Sequence, residues 1–360
     1  MPTTHPTPHK ATLDGLRFLA FLAVFFFHAE NQRFPCPWGW GGVRVFFTLS
    51  GFLITRILIR DESGSLVADL KRFYLRRTLR IFPLYYALIA YVWLFGGLTH
   101  TGWFLSYLAN VGAYLTGSFD TTLGHFWTLS VEEQFYLIFP PMFWATPRRY
   151  RLGLVVALIA GSVGFQVYAH SALRMPMAKW LTPYCASDLA WGALAGMIEL
   201  RTRPHRFEAT ALVAAGVGLL VIAWRLNEGR FGFAPRRQLD LAPSAYGLAG
   251  ACLVFGLWRT TNPLLVWPLS FAPIAYLGRI SYGLYAFHLP VLRGYGQIEI
   301  PYAFYIPQIY RQLITTIVLA ALSWRFFEGP INRWKDRFDP PRPTHLESRN
   351  GGREKVGLVS

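Results

Sequence analysis

Apolar residues recur along this chain in runs of about 20, the length that an α-helix needs to cross a bilayer. Short polar segments separate these runs. The pattern predicts ten spans, at 13–29, 43–59, 81–98, 126–145, 152–170, 183–200, 209–226, 241–258, 272–292 and 306–327. The sequence therefore predicts an all-α fold, a polytopic membrane helix bundle with about ten transmembrane helices.

The basic residues predict how these spans are oriented. Short loops rich in Lys and Arg stay in the cytoplasm, and segment 60–80 carries Arg60, Lys71, Arg72, Arg76, Arg77 and Arg80. An eleventh apolar stretch, 103–115, is shorter than the roughly 20 residues of a span, so we expect it to be re-entrant or interfacial. The basic loops near 148–151 and 201–206 then also face inside. Ten spans with both termini cytoplasmic agree best with the charges, although the arginines of loop 227–240 would lie outside.

Composition supports a membrane protein and excludes several other classes. The 360 residues are 53% hydrophobic and only 15% charged, with a net charge of +16, whereas a soluble chain carries about 25% charged residues. Three scattered cysteines are too few for a disulfide framework or a zinc site, and we expect no bound metal. We assign 1–12 to a disordered cytoplasmic N-terminus, 13–334 to the transmembrane domain, and 335–360 to a polar, disordered cytoplasmic tail.

The first span contains ionisable residues that are expensive in a membrane. A charged side chain at the centre of a span costs roughly 2.5 to 3.5 kcal/mol, so Asp14, Arg17 and His28 each need a partner, a wet cavity or a chemical role. Arg17 and His28 fall on one helical stripe, about 16 Å apart along the axis. A structural alternative remains, in which Asp14 and Arg17 neutralise each other and His28 sits among outer headgroups.

Polar residues also interrupt the second and fourth predicted spans. Ser50 and Gly51 lie in the middle of 43–59, where they indicate either close helix packing or a function. Glu132 and Glu133 are adjacent and point about 100° apart, so we expect one carboxylate to face the bundle. Glu132 shares a helix face with Tyr136.

The ninth predicted span carries a polar stripe formed by Ser281, Tyr285 and His288. The predicted orientation places His28, Glu132 and His288 at a similar outward depth. Two imidazoles and a carboxylate in one layer are the groups that general acid–base chemistry on a hydroxyl uses.

The basic segment 72–83 has two interpretations. Juxtamembrane arginines attract anionic lipids. Alternatively they clamp the phosphates of a nucleotide-bearing donor, since Arg77 and Arg80 share a helix face and guanidinium groups bind phosphate bidentately.

Together these stretches resemble the acyltransferase 3 family of bacterial integral membrane proteins, which O-acetylate lipopolysaccharide, peptidoglycan, exopolysaccharide and some macrolides. The resemblance covers 13–334 and depends on several motifs in the same order. They are Leu13-Asp14-Gly15-Leu16-Arg17 with His28, the segment 46–53, Arg77 to Arg80 before Ile81-Phe82-Pro83, and the segments 127–136, 278–290 and 325–330.

The resemblance implies a donor, an acceptor and a location. The donor is an acyl-CoA, normally acetyl-CoA, acting as a co-substrate rather than a tightly bound cofactor. The acceptor is a hydroxyl of a glycan or glycolipid, and the protein lies in the bacterial inner membrane. No nucleic-acid partner is implied, and the sequence does not indicate an oligomeric state.

The resemblance also implies roles for particular residues. The family's essential histidine corresponds to His28 and its paired arginine to Arg17, while the buried glutamate falls on Glu132 and the arginines of the coenzyme A side on Arg77 and Arg80. Arg44 departs from the family, which often has Asp there, so an acidic role cannot be assigned to that position.

The mechanism predicted from sequence places Arg76, Arg77 and Arg80 on the donor phosphates. His28 either carries the acyl group or acts as a base, with Glu132 or His288 orienting it. We assign Ser50, Tyr136 and Tyr285 to substrate or donor binding. The rival hypothesis is a transporter or flippase for a glycan or lipid-linked substrate, in which the intramembrane charges line a transport path.

Overall fold

The computed structural model describes residues 10–29, 36–171, 176–202, 206–228, 242–295 and 307–334. Most of the predicted N-terminal segment 1–12, most of loop 227–240 and the tail 335–360 lie outside these residues. The assignments made for those three segments therefore stay predictions.

Within these ranges the fold is built of α-helices, and no strand occurs. The helices are α1 Ala11–His28, α2 Trp40–Arg60, α3 Leu66–Gly96, α4 Thr101–Leu105, α5 Ala109–Thr116, α6 Trp127–Ala145, α7 Arg151–Ser171, α8 Thr182–Arg201, α9 Arg206–Glu228, α10 Ala242–Arg259, α11 Pro263–Ser270, α12 Ala272–Arg279, α13 Ser281–Leu292, α14 Gln308–Ser323 and α15 Gly329–Arg333.

Five helices of the described chain are long and apolar enough to cross a membrane. They are Ala11–His28, Trp40–Arg60, Leu66–Gly96, Arg148–His170 and Glu208–Arg225. The other predicted spans also coincide with helices, but several are shorter or broken. The 272–292 span divides at Ile280 into α12 and α13, and α14 continues into a π-helix, Trp324–Glu328. The predicted count of about ten spans is therefore not confirmed.

The stretch 103–115 forms two short helices of 5 and 8 residues, α4 and α5. Between them Tyr107 has a positive φ of 55°, and its ring stacks on Tyr85 with the ring centroids 4.1 Å apart. The Tyr85 hydroxyl donates to the Phe104 carbonyl at 2.8 Å. Neither helix has the roughly 20 residues of a span, which agrees with the expectation that this stretch does not cross.

An ion pair joins the loop after α2 to the start of α7. Arg151 donates to both carboxylate oxygens of Glu62, at 2.8 and 2.9 Å, and Arg148 lies 3.3 Å from the same carboxylate. Two of the basic segments that we predicted to share one side of the membrane therefore lie at the same end of the bundle.

The Ser50-Gly51 pair in α2 combines packing with a polar contact. A Cβ at Gly51 would overlap the carbonyl of Leu189 on α8, so Gly51 permits close helix packing. Ser50 instead hydrogen-bonds the Tyr136 hydroxyl. Gly51 therefore serves close packing, while the substrate- or donor-binding role assigned to Ser50 stays a prediction.

Arg44, the departure from the family pattern, is buried within the bundle at 2% exposure. It donates to Asp188 on α8 at 2.5 Å, and its guanidinium lies 5.5 Å from the ring centroid of Trp40. A buried cation of this kind requires a paired anion. The acid that balances Arg44 therefore stands on a different helix.

Candidate active site

Helices α1, α2, α3, α6 and α13 enclose a cavity of about 470 Å³. Seven of the ten residues assigned to the site from sequence line it: Arg17, Ser50, Arg77, Arg80, Glu132, Tyr136 and Tyr285. The three others, His28, His288 and Arg76, lie elsewhere. The cavity therefore gathers residues that are far apart in sequence from five helices.

The cavity walls carry a marked excess of positive charge. Six basic residues and two acidic residues line it. Arg17 donates to Asp14 at 3.0 Å, so one of the acids is engaged within α1. Within the described ranges neither Arg77 nor Arg80 has a carboxylate at salt-bridge distance, and Arg80 is exposed. Two guanidinium groups in this state suit an anionic ligand such as a phosphate.

Arg76 is directed away from this cavity. Its guanidinium donates to the carboxylate of Asp61, in the loop after α2, at 2.7 Å. Neighbouring residues of a helix point about 100° apart, so Arg76 and Arg77 cannot both face the cavity. The predicted clamp of three arginines therefore reduces to Arg77 and Arg80.

Glu132 belongs to a short chain of polar side chains on the cavity wall. The Tyr136 hydroxyl donates to its carboxylate at 3.3 Å and also hydrogen-bonds Ser50. Glu132 lines the cavity and Glu133 does not, although one carboxylate oxygen of Glu133 is buried as well. The two glutamates therefore differ in their access to the cavity, and the role assigned to Glu132 stays a prediction.

His28 and His288 meet beyond the cavity, although 260 positions separate them. Nε2 of His288 lies 3.2 Å from Nδ1 of His28, and the ring centroids are 5.1 Å apart. His288 is fully buried. His28 is the last residue of α1 and is partly exposed.

Backbone carbonyls determine which nitrogens of the neutral rings carry hydrogen. Nδ1 of His288 lies 2.5 Å from the Tyr285 carbonyl, and because a carbonyl only accepts, this nitrogen donates. Nε2 of His288 is then the acceptor. Nδ1 of His28 lies 3.1 Å from the Val24 carbonyl and 3.2 Å from Nε2 of His288. Its single hydrogen is therefore shared between these two acceptors. Nε2 of His28 therefore keeps the lone pair that a base or a nucleophile needs.

Tyr285 connects the cavity to this histidine pair. Its side chain lines the cavity, and its ring centroid lies 5.2 Å from that of His288. Its hydroxyl hydrogen-bonds Thr128, another cavity residue, at 2.7 Å. The end of the cavity that Tyr285 and Thr128 line therefore adjoins the histidines.

The expectation that Glu132 shares one layer with the two histidines is corrected. His125, in the 3-10 turn Gly124–Phe126 just before α6, packs its ring against that of His288 with the ring centroids 4.7 Å apart, and Glu132 follows seven residues later. Seven helical residues advance about 10 Å. Glu132 therefore belongs to the cavity wall rather than to the histidine layer.

A family model described as an acyltransferase domain matches residues 10–327. The chain belongs to the acyltransferase 3 family. The membrane-protein character and the order of the motifs noted in the sequence agree with this assignment.

Curated members of this family resemble the chain over most of its length. The peptidoglycan O-acetyltransferase OatA of Listeria monocytogenes is 26% identical, over 92% of this chain and 57% of its own length. The O-acetyltransferase OatA of Staphylococcus aureus is 26% identical, over 89% of this chain and 57% of its own length. The chain thus spans a little over half the length of these relatives. No solved structure gives a significant match.

Sequence reasoning missed several residues of this acyltransferase 3 domain. Lys10, Arg56 and Arg279 add positive charge to the cavity wall, and His125 packs against His288. A signal for His125 was present, because it stands two residues before the Trp127 motif.

Proposed function

We propose that this acyltransferase 3 family protein is a membrane O-acetyltransferase that moves an acetyl group from acetyl-CoA to a hydroxyl of a cell-surface glycan. The observation that carries the proposal is a pair of histidines in mutual contact, adjoining the end of a basic cavity that Tyr285 and Thr128 line. The relatives named as peptidoglycan O-acetyltransferases support a glycan acceptor.

The cavity supplies groups for both parts of the donor. Arg77 and Arg80 lack carboxylate partners within the described ranges and are available to the phosphates of coenzyme A. The acyl-bearing arm then extends toward Tyr285 and Thr128, which lie next to the histidines. This arrangement brings the thioester close to the histidine pair while the phosphates stay bound to Arg77 and Arg80.

His28 provides the proton transfer that the reaction requires. In the base mechanism, Nε2 of His28 takes the proton of the acceptor hydroxyl and the acceptor oxygen attacks the thioester carbonyl. The C–S bond breaks, and the departing thiolate takes the proton from the imidazolium. In the carrier mechanism, Nε2 attacks the thioester carbonyl and the C–S bond breaks, which releases coenzyme A as a thiolate. The acceptor oxygen then attacks the acetyl-imidazolium, the N–C bond to Nε2 breaks, and the hydroxyl proton passes to the thiolate. In both mechanisms Nε2 of His288 accepts from Nδ1 of His28 and holds the His28 ring with its Nε2 free to react.

The proposed orientation places the basic end of the bundle in the bacterial cytoplasm, with both termini inside. The Glu62–Arg151 pair supports a common side for two of the basic segments. Reporter fusions at residues 63 and 147 should both report the cytoplasm. A periplasmic signal from either would reverse the orientation and remove the cytoplasmic donor from the proposal.

The decisive experiment uses acetyl-CoA labelled in its acetyl group. Purified protein in proteoliposomes receives the labelled donor together with glycan fragments as acceptors, and mass spectrometry follows the label. Label in an ester-linked glycan supports the proposal. Movement of an unmodified glycan across the bilayer, without label in the product, would identify a transporter instead.

A further inference from the structure

Pro290 leaves one carbonyl of α13 without its usual partner. In an α-helix the carbonyl of residue i accepts from the N–H of residue i+4. Pro290 lies inside α13 and has no N–H, so it cannot donate to the carbonyl of Ala286. Ala286 is fully buried, and a buried carbonyl needs a hydrogen-bond partner.

His125 supplies that partner from another helix. Its Nε2 lies 3.3 Å from the Ala286 carbonyl, and because the carbonyl only accepts, Nε2 is the donor. His125 is 2% exposed, so water competes little for this bond. The bond ties the 3-10 turn that precedes α6 to the backbone two residues before His288.

The same residue also contacts the inner end of the cavity through its backbone. The carbonyl of His125 lies 3.1 Å from the Tyr285 hydroxyl and accepts from the Thr128 hydroxyl at 3.0 Å. Tyr285 and Thr128 both line the cavity. The backbone of His125 therefore contacts residues at the end of the cavity, and its ring contacts the part of α13 that carries His288.

We infer that His125 is a positioning residue, which holds His288 against His28 by donating to the carbonyl that Pro290 leaves free. His125 acts through His288 and does not itself meet the reacting atoms. The inference rests on the proposed function for its kinetic test and on the Ala286 hydrogen bond for a second test that needs no activity.

The kinetic test compares His125→Leu with His125→Gln in the full-length protein. Leucine fills space without a donor, whereas the glutamine amide nitrogen reaches about as far as Nε2. We expect His125→Leu to lower kcat about tenfold or more, because small misplacements of reacting groups are costly, and the KM for acetyl-CoA to stay near wild type. His125→Gln should recover most of kcat. Equal losses in both variants, or a change confined to KM, would overturn the inference.

A double-mutant cycle separates positioning from a general structural role. If His125 acts through His288, then His125→Leu in a His288→Gln background should change the remaining kcat by less than about twofold. Multiplication of the two separate losses would show that His125 acts independently of His288.

The second test measures thermal stability of the purified protein. His125→Leu should lower the melting temperature, and adding Pro290→Ala should restore part of the loss, because the new N–H of residue 290 can pair with the Ala286 carbonyl. In the protein that retains His125, Pro290→Ala should raise the melting temperature less than it does in the His125→Leu variant. An equal effect in both backgrounds would refute the hydrogen-bond assignment. If the wild-type protein transfers no acetyl group but shows this coupling, the result contradicts the proposed function and still supports the hydrogen bond from His125 to the Ala286 carbonyl.

Discussion

Nε2 of His288 accepts a hydrogen bond from Nδ1 of His28 at 3.2 Å. This contact joins the end of α1 to α13, and through it the imidazole of His288 orients the imidazole of His28. The Tyr285 carbonyl fixes the hydrogen of His288 on the opposite nitrogen. In catalytic histidines a second group often holds one ring nitrogen so that the remaining nitrogen is free for chemistry. The contact between His28 and His288 has the same form.

His28→Gln should reduce acetyl transfer by roughly 100-fold or more, since glutamine keeps polarity but has no basic nitrogen. The measurement is acetylated glycan formed per unit of membrane-inserted protein, with acetyl-CoA binding as the test of folding. His100→Asn is the matched control, because His100 is exposed and has a positive φ that Asn tolerates. Substantial turnover by His28→Gln would remove His28 from the mechanism.

Replacing both Arg77 and Arg80 with Gln should weaken acetyl-CoA binding by more than about 100-fold, because each charge-assisted hydrogen bond to a phosphate contributes roughly 1.5–3 kcal/mol. Raising the salt concentration should weaken wild-type binding in the same direction. Isothermal titration of the detergent-solubilised protein measures both effects.

Arg76→Gln is the control for this experiment, since Arg76 sits on the same helix but pairs with Asp61 outside the cavity. Its donor affinity should stay near that of the wild type. Equal weakening by Arg76→Gln and by the double variant would indicate a general surface charge effect, as lipid attraction predicts.

Glu132→Gln should slow acetyl transfer about tenfold, while Glu133→Gln leaves the rate within about threefold of wild type, because the charge of only one of them faces the substrate cavity. The two variants remove the same charge from adjacent positions, so each serves as a control for the other. Initial rates at saturating acetyl-CoA give the comparison. Similar rates for both variants would exclude a specific role for Glu132.

Glu62→Gln should destabilise the bundle by about 1–2 kcal/mol, because Arg151 loses a charged bidentate partner. The hydrogen bonds and charge of Arg151 hold the pKa of the Glu62 carboxyl below its ordinary value of 4.5. A carboxyl with a depressed pKa stabilises the folded state above its unfolded pKa, and this contribution is lost as the pH falls through the folded value.

Thermal unfolding of the wild type and of Glu62→Gln, measured between neutral and acidic pH, tests this direction of the change in stability with pH. The two proteins should differ at neutral pH and converge as the pH falls through the lowered pKa of the Glu62 carboxyl, since protonation then removes the same charge from the wild type. A difference that persists unchanged at low pH would mean that the carboxylate charge is not the source of the stability.

The sequence by itself determined the helical membrane character, the grouping of two basic segments at one end of the bundle and most of the polar residues around the cavity. These features follow from local properties, because a span must be long and apolar and each intruding charge is costly at its own position. Arg17, Ser50, Glu132 and Tyr285 could be selected for that reason alone.

Only the tertiary structure decided which of these residues meet. The rotation and packing of each helix turn Arg76 to Asp61 and Arg77 to the cavity, and they pair Arg44 with Asp188 across two helices. Packing also joins His28 to His288 and places His125 on the carbonyl that Pro290 leaves free. Contacts between residues more than 100 positions apart leave no periodic trace in the sequence, because they depend on how complete helices fit together.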